Sequence, residues 1–184
     1  MIKILIKNAR IVDGTQDRAK DAVDILLADG HVQEVGASLK TSGDATVIDA
    51  KGGFVMPGLI DAHVHVIAQD ANLKQNAALP DAIVTVGAMN LMRGMLARGF
   101  TTLRDLGGAT GPLRAAMERA PVPLPRLNIC GKALSQTGGH TDQRGPFDDI
   151  PVPKWPVPLG SMGVICDGVP ELRKAAREQF RTGA

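Results

Sequence analysis

The 184-residue chain has no tyrosine, one tryptophan and four phenylalanines, so its core must be built from Val, Ile, Leu, Met and Ala. So few aromatics also argue against a surface on which single-stranded nucleic-acid bases stack. Two cysteines, Cys130 and Cys166, cannot make a disulfide framework in a chain of this size and suit a reducing compartment. Neither sign of charge dominates: 21 basic and 19 acidic residues leave a formal charge of +2. There is no basic cluster to hold nucleic acid and no acidic tail. No apolar run approaches the length of a membrane span. The opening Met1-Ile-Lys-Ile-Leu-Ile-Lys7 alternates charged and apolar residues, where a secretory signal needs an unbroken apolar stretch. Repeats and low-complexity segments are absent. These absences predict a cytoplasmic protein with no nucleic-acid or membrane partner.

What is present divides at about residue 57. Residues 1–57 read as short strands: Ile2, Ile4 and Ile6 alternate with Lys3, Leu5 and Lys7, and further strand material lies at 46–49 and 53–56. Within 24–35, two strands meet at Asp29-Gly30, a type I′ hairpin signal. This is a small β domain, expected as a sandwich. From Leu59 onward the pattern alternates strand and helix. A strand over 59–65, beginning with buried Leu59 and Ile60, precedes a helix over 81–98, whose Ile83, Val86, Met89, Leu91 or Met92, and Leu96 approximate a 3.6-residue period. Pro80 and Gly99 punctuate its ends. A strand at 101–106, a short helix over 113–119, a strand at 126–131 and a helix over 170–181 follow. The last of these carries Leu172, Ala175, Ala176 and Phe180 on one side. The fold class is α/β, with three strand–helix units and parallel strands joined by right-handed crossovers.

The chemistry sits in Pro57-Gly-Leu-Ile-Asp-Ala-His-Val-His65. Residues i and i+2 of a strand project from one face, so His63 and His65 can present two imidazoles to one point. Neutral imidazole nitrogens are metal ligands, and strand ends facing a crevice are where α/β folds carry their sites. Asp61 lies one step back on the same face. The bland alternative is a pair of strand-end histidines bonded to backbone carbonyls.

Together with Ile4-Leu-Ile-Lys-Asn-Ala-Arg-Ile-Val-Asp-Gly14, Val47-Ile-Asp-Ala50 and Gly99-Phe-Thr-Thr-Leu-Arg-Asp105, this segment resembles the metal-dependent amidohydrolase superfamily. The resemblance is closest to its imidazolonepropionase-like branch, which includes the Xaa-Pro dipeptidases (prolidases). Ala133-Leu-Ser-Gln-Thr-Gly-Gly-His140 looks like the prolidase-type members specifically. The resemblance implies a (β/α)8 TIM barrel over 58–184, of which three units are present, beside the β domain over 1–57. A closed barrel needs eight units, so the chain reads as the N-terminal portion of a longer enzyme, inactive alone. The implied activity is hydrolysis of an amide or peptide C–N bond by a metal-activated hydroxide. Xaa-Pro dipeptides, N-acyl amino acids and ochratoxin-like amides are the implied substrates. Cyclic-amide hydrolysis, deamination and a non-catalytic subunit are the alternatives. His63 and His65 would be metal ligands, Asp61 an outer carboxylate orienting a ligand ring, and His140 a contact to the scissile carbonyl. Two zinc ions bridged by a carboxylated lysine, and homo-oligomerisation, are implied for the complete enzyme, with that lysine outside this chain.

Several residues read as ordinary structure. Arg104 and Asp105 suggest a salt-bridged pair below the site, with substrate-carboxylate binding by Arg104 a weaker possibility. His31 reads as a surface residue, Cys130 as core, and Cys166 as a loop thiol without a histidine partner. The stretch 138–168 carries Pro146, Pro151, Pro153, Pro156 and Pro158 around Trp155. It predicts a semi-ordered flap over the barrel mouth or an oligomer contact.

Overall fold

The computed structural model describes residues 3–41, 43–152 and 156–184; Ile2, Pro153 and Trp155, named above, lie outside them. The chain folds as two compact units, Met1–Pro57 and Gly58–Ala184.

In the first unit, β1 (Lys3–Ile11), β2 (Lys20–Ala28), β3 (His31–Gly36) and β4 (Ala45–Asp49) form a sheet in the order β3-β2-β1-β4. The short β5 (Phe54–Val55) pairs with the far end of β1. Strands β1 and β2 are antiparallel, whereas β4 runs parallel to β1. The β2–β3 hairpin turns at Asp29 and Gly30, both at positive φ (50° and 79°), as a type I′ turn requires. Ala9, Ile11 and Ile25 form its buried centre. Among the described residues this unit shows one five-stranded sheet, a single layer of the expected sandwich. Val32, Val47 and Ile48 are exposed, the last two on opposite faces of β4. Buried Asp24 ties this unit together: its carboxylate accepts the N–H groups of Asn8 and Leu39.

In the second unit, β6 (Leu59–Val64), β7 (Phe100–Asp105) and β8 (Arg126–Ile129) form a parallel sheet in sequence order. Helix α2 (Asp81–Ala97) connects β6 to β7, and α3 (Gly111–Glu118) connects β7 to β8. Thr110 caps α3 by accepting from Leu113 N–H, and Pro112 sits in its first turn. One core joins sheet and helices: Leu103 and Leu127 pack with Val84, Ala88 and Met92 of α2 and Leu113 and Met117 of α3. Each fully buried side chain of this size contributes about 1.5–3 kcal/mol.

The buried stripe of α2 is Val84, Ala88, Met92 and Met95, whereas Ile83 and Val86 are exposed. Apolar residues surround this helix, so periodicity alone permits more than one phase. Leu59 and Ile60, expected buried, are also exposed, on opposite faces of β6, which is an edge strand of this sheet.

The expected flap is partly built structure. Helix α1 (Leu73–Ala77) follows β6, capped by Asn72, whose side chain accepts from Lys74 and Gln75 N–H. Strand β9 (Ala133–Ser135) pairs in parallel with β10 (Gly163–Ile165), closing the flap at its base. Helix α4 (Gly168–Arg181) follows. Its expected apolar face is a miss: Leu172 and Phe180 are exposed and Gln179 is buried. Gln179 turns inward because its amide oxygen accepts Lys132 N–H at 2.8 Å.

Candidate metal centre

The C-terminal ends of β6, β7 and β8 form one edge of the sheet, and both histidines stand there. His63 is within β6 and His65 is one residue beyond its end. Their ring centroids are 5.4 Å apart, with planes at 83°. An ion about 2.0–2.1 Å from one nitrogen of each ring lies roughly 3.2 Å from each centroid, so a shared tetrahedral ion separates the centroids by roughly 5 Å. The spacing fits.

The protonation pattern of His65 fits as well. Its Nδ1 lies 3.1 Å from Gly107 O. A carbonyl oxygen only accepts, so Nδ1 carries the hydrogen and the neutral ring keeps its lone pair on Nε2. The backbone-bonded histidine of the bland expectation is thus present in His65, through Nδ1, and that bond leaves Nε2 as the acceptor nitrogen of the ring. Among the described residues no cluster of three or more His, Cys, Asp or Glu could hold a metal. The chain thus offers two imidazoles, while a catalytic zinc site takes three protein ligands.

The other expected site residues are placed differently. Asp61 does not meet a ring nitrogen: its Oδ1 accepts the backbone N–H of His63 at 3.1 Å, bracing the strand that carries this histidine. His140 is exposed on the flap and makes no side-chain hydrogen bond to a described residue. No ion pair joins Arg104 to Asp105. Consecutive strand residues face opposite ways, so Arg104 lies exposed while Asp105 is fully buried.

Asp105 does something else. Its Oδ2 accepts Val66 N–H at 2.7 Å, and its Oδ1 accepts Gly107 N–H at 3.0 Å and Ala109 N–H at 3.2 Å. Burial pushes this carboxyl upward, against the pull of the three N–H donors. The sequence signal was an aspartate at a strand end two residues before glycine, the composition of an Asx turn. Lys132 is a second residue that sequence reasoning missed. Its ammonium is buried and donates to the carbonyls of Pro158 (3.1 Å), Leu159 (2.9 Å) and Ser161 (2.5 Å). Burial pushes it down to about 8. The Cys130 and Cys166 thiols are both pushed up, chiefly by burial, which removes them as nucleophiles near neutrality. Cys166 lies in the loop after β10, as expected, and is buried there.

A cavity of about 320 Å³ opens in the flap between α1 and β10, with Ala77, Ala78, Ile150, Val157 and Ile165 among its apolar walls. Arg144 grips Asp142 at its rim with Nε and Nη2 at 2.9 and 2.7 Å, and holds that carboxyl well below the usual carboxylate range. The Thr141 hydroxyl also lines this cavity, buried and without a hydrogen-bond partner. Thr141→Val is expected to stabilise the chain by about 1 kcal/mol, because it removes an unpaired buried hydroxyl. Urea denaturation followed by circular dichroism checks this.

Known proteins resemble this chain in sequence and in fold. A crystal structure of an amidohydrolase superposes with a TM-score of 0.91 at 45% identity, covering 99% of this chain and 45% of that one. A prolidase complexed with N-methylphosphonate-L-proline gives 0.90 at 35% identity, with the same 99% and 45% coverage. Ochratoxinase from Aspergillus niger is 34% identical over 148 residues, which is 71% of this chain and 29% of the enzyme. A dihydroorotase from Geotalea daltonii is 45% identical over 102 residues, 55% of this chain and 21% of its own. The chain thus spans less than half the length of each of these relatives. The family model described as Amidohydrolase family matches residues 54–184, well over half of the sequence. The chain belongs to the amidohydrolase family.

Proposed function

We propose that this chain carries the first metal ligands and part of the substrate cover of a metal-dependent amidohydrolase with a (β/α)8 barrel. Its favoured substrates are Xaa-Pro dipeptides or N-acyl amino acids. The observation that carries the reading is the pair of imidazoles at the strand edge, one of them fixed in the tautomer that leaves Nε2 free. His63 and His65 would hold one divalent ion of a pair, zinc in this reading. Such ions polarise an amide carbonyl and acidify water.

The chain's own residues do the rest of what this reading assigns to it. Asp61 and Gly107 hold the ligand-bearing backbone and ring. His140, on a flap whose base is tied by β9–β10 pairing, would donate to the substrate carbonyl as negative charge develops there. The flap limits water access and supplies apolar wall for the substrate body. The similarity to prolidase and ochratoxinase supports an acyclic amide, and that to dihydroorotase keeps a cyclic amide in the test. Self-association and a cytoplasmic location belong to the same reading.

The test fuses the 184-residue chain to the later barrel strands of the 45%-identical amidohydrolase and supplies zinc. Release of amine is then followed from Xaa-Pro dipeptides, N-acyl amino acids and a cyclic amide. The fusion is expected to hydrolyse the acyclic amides and the chain alone to hydrolyse none. A folded, zinc-loaded fusion that cleaves only the cyclic amide, or nothing, overturns the assignment.

A further inference from the structure

Asp105 lies at the end of β7 with no exposed surface, and every hydrogen bond its carboxylate makes leads toward His65 or the loop that touches it. Through Oδ2 it holds the N–H of Val66, the residue that follows His65 in the chain. Through Oδ1 it holds the N–H groups of Gly107 and Ala109, which shapes the turn after β7. The Gly107 carbonyl then takes the Nδ1–H of His65. Two independent routes, one through backbone and one through the ring's own partner, converge on a single histidine. Gly107 also lies beside the ring, since a Cβ built there would sit in ordinary contact, 3.6 Å from His65 Cε1. His63 has no comparable support among the described residues: it is exposed, and the bond that anchors it is that of its backbone N–H to Asp61.

We propose that Asp105 is a positioning residue for His65: it fixes the Nδ1–H tautomer and the direction of Nε2 through Gly107 and Val66, without touching metal or substrate. The metal consequence rests on the reading of His65 as a ligand; the tautomer consequence does not. Both carboxylate oxygens are used as acceptors, so a neutral amide of the same shape cannot replace the group. In Asp105→Asn one end presents N–H to a backbone N–H, and either the Val66 contact or the Gly107–Ala109 turn must break. Losing the outer partner of a metal-ligating histidine typically lowers metal affinity 10- to 100-fold.

The experiment uses the 184-residue chain labelled with ¹⁵N and ¹³C. In the wild type, imidazole ¹⁵N spectra are expected to show His65 as the Nδ1–H tautomer. Hydrogen-bond couplings should connect the Val66 and Gly107 amides to the Asp105 carboxylate carbon, a measurement that stands even if the variant does not fold. Titrated with zinc, Asp105→Asn is expected to bind about tenfold or more weakly and to show mixed His65 tautomers, with the His63 tautomer unchanged. Lys132→Met removes a different buried charge in the same unit and should leave the His65 tautomer and zinc affinity in place. The proposal fails if the wild-type couplings are absent, if Asp105→Asn keeps the wild-type tautomer and affinity, or if Lys132→Met alters both equally. Should the wild type bind no zinc while Asp105→Asn still scrambles the tautomer, the positioning role stands and the metal-ligand reading falls.

Discussion

Lys132→Met is expected to destabilise the Gly58–Ala184 unit by about 3 kcal/mol at pH 7. Three carbonyls, of Pro158, Leu159 and Ser161, lose their donor together. Each buried acceptor left unpaired costs about 1–3 kcal/mol, and relief from burying the ammonium offsets part of the total. The same stretch of flap is gripped twice more: Asn76 Nδ2 donates to Gly160 O at 2.7 Å, and Leu159 N–H donates to Asp81 Oδ1 at 2.9 Å. The variant should therefore loosen residues 158–161 locally before the unit unfolds. The deficit also depends on pH. Burial lowers the folded-state value from 10.5 to about 8, and the charges of Asp105 and Asp81 oppose that shift only in part. Between about 8 and 10.5 the unfolded chain holds more protons than the folded one. Wild-type stability therefore rises through that window, by at most about 3 kcal/mol from this group. Lys132→Met lacks the contribution, so the gap between the two proteins should widen from pH 7 to pH 10. Paired urea titrations across that range measure it, and a gap that shrinks with pH refutes the argument.

Which parts of this molecule could be read in the sequence follows from how local each determinant is. The strand–helix alternation after residue 58 was legible because Pro80, Gly99 and Thr110-Gly111-Pro112 punctuate it, and breakers act on their own neighbourhood. The hairpin at Asp29-Gly30 was legible for the same reason. The phase of α2 was not: with Ile83, Val84, Val86, Ala88, Met89, Leu91, Met92, Met95 and Leu96 all apolar, only the position of the sheet selects the Val84–Met95 stripe. Asp105 was misread because adjacency to Arg104 suggests a pair, while strand alternation sends the two side chains to opposite faces. Lys132 and Asn76 were invisible because their partners lie far along the chain, at 158–161 and at Ile67 and Gly160. The candidate site divides the same way: the His63–His65 spacing is local and could be read directly, but the chain Asp105–Gly107–His65 that orients one ring joins residues 42 positions apart.

That division sets the last expectation, the loss of metal when either imidazole is removed. Zinc titrated into the wild-type chain should shift the ring nitrogens of both His63 and His65, because 5.4 Å between centroids lets one ion reach both. His65→Ala and His63→Ala should each lower affinity beyond the roughly 10- to 100-fold that loss of an outer partner brings, since each removes half of the donor set. The two variants are not expected to be equivalent. His65 enters binding with its ring already held by Gly107, whereas the exposed His63 ring must lose rotamer freedom to join it. In His63→Ala, residual zinc should therefore still perturb His65 Nε2 alone; in His65→Ala, the remaining His63 ring should bind more weakly still. Isothermal titration gives the affinities and ¹⁵N shifts identify the atom. Equal residual binding in the two variants would mean that the Gly107 contact does not pre-organise His65, and undiminished binding in either would place the ion away from this pair.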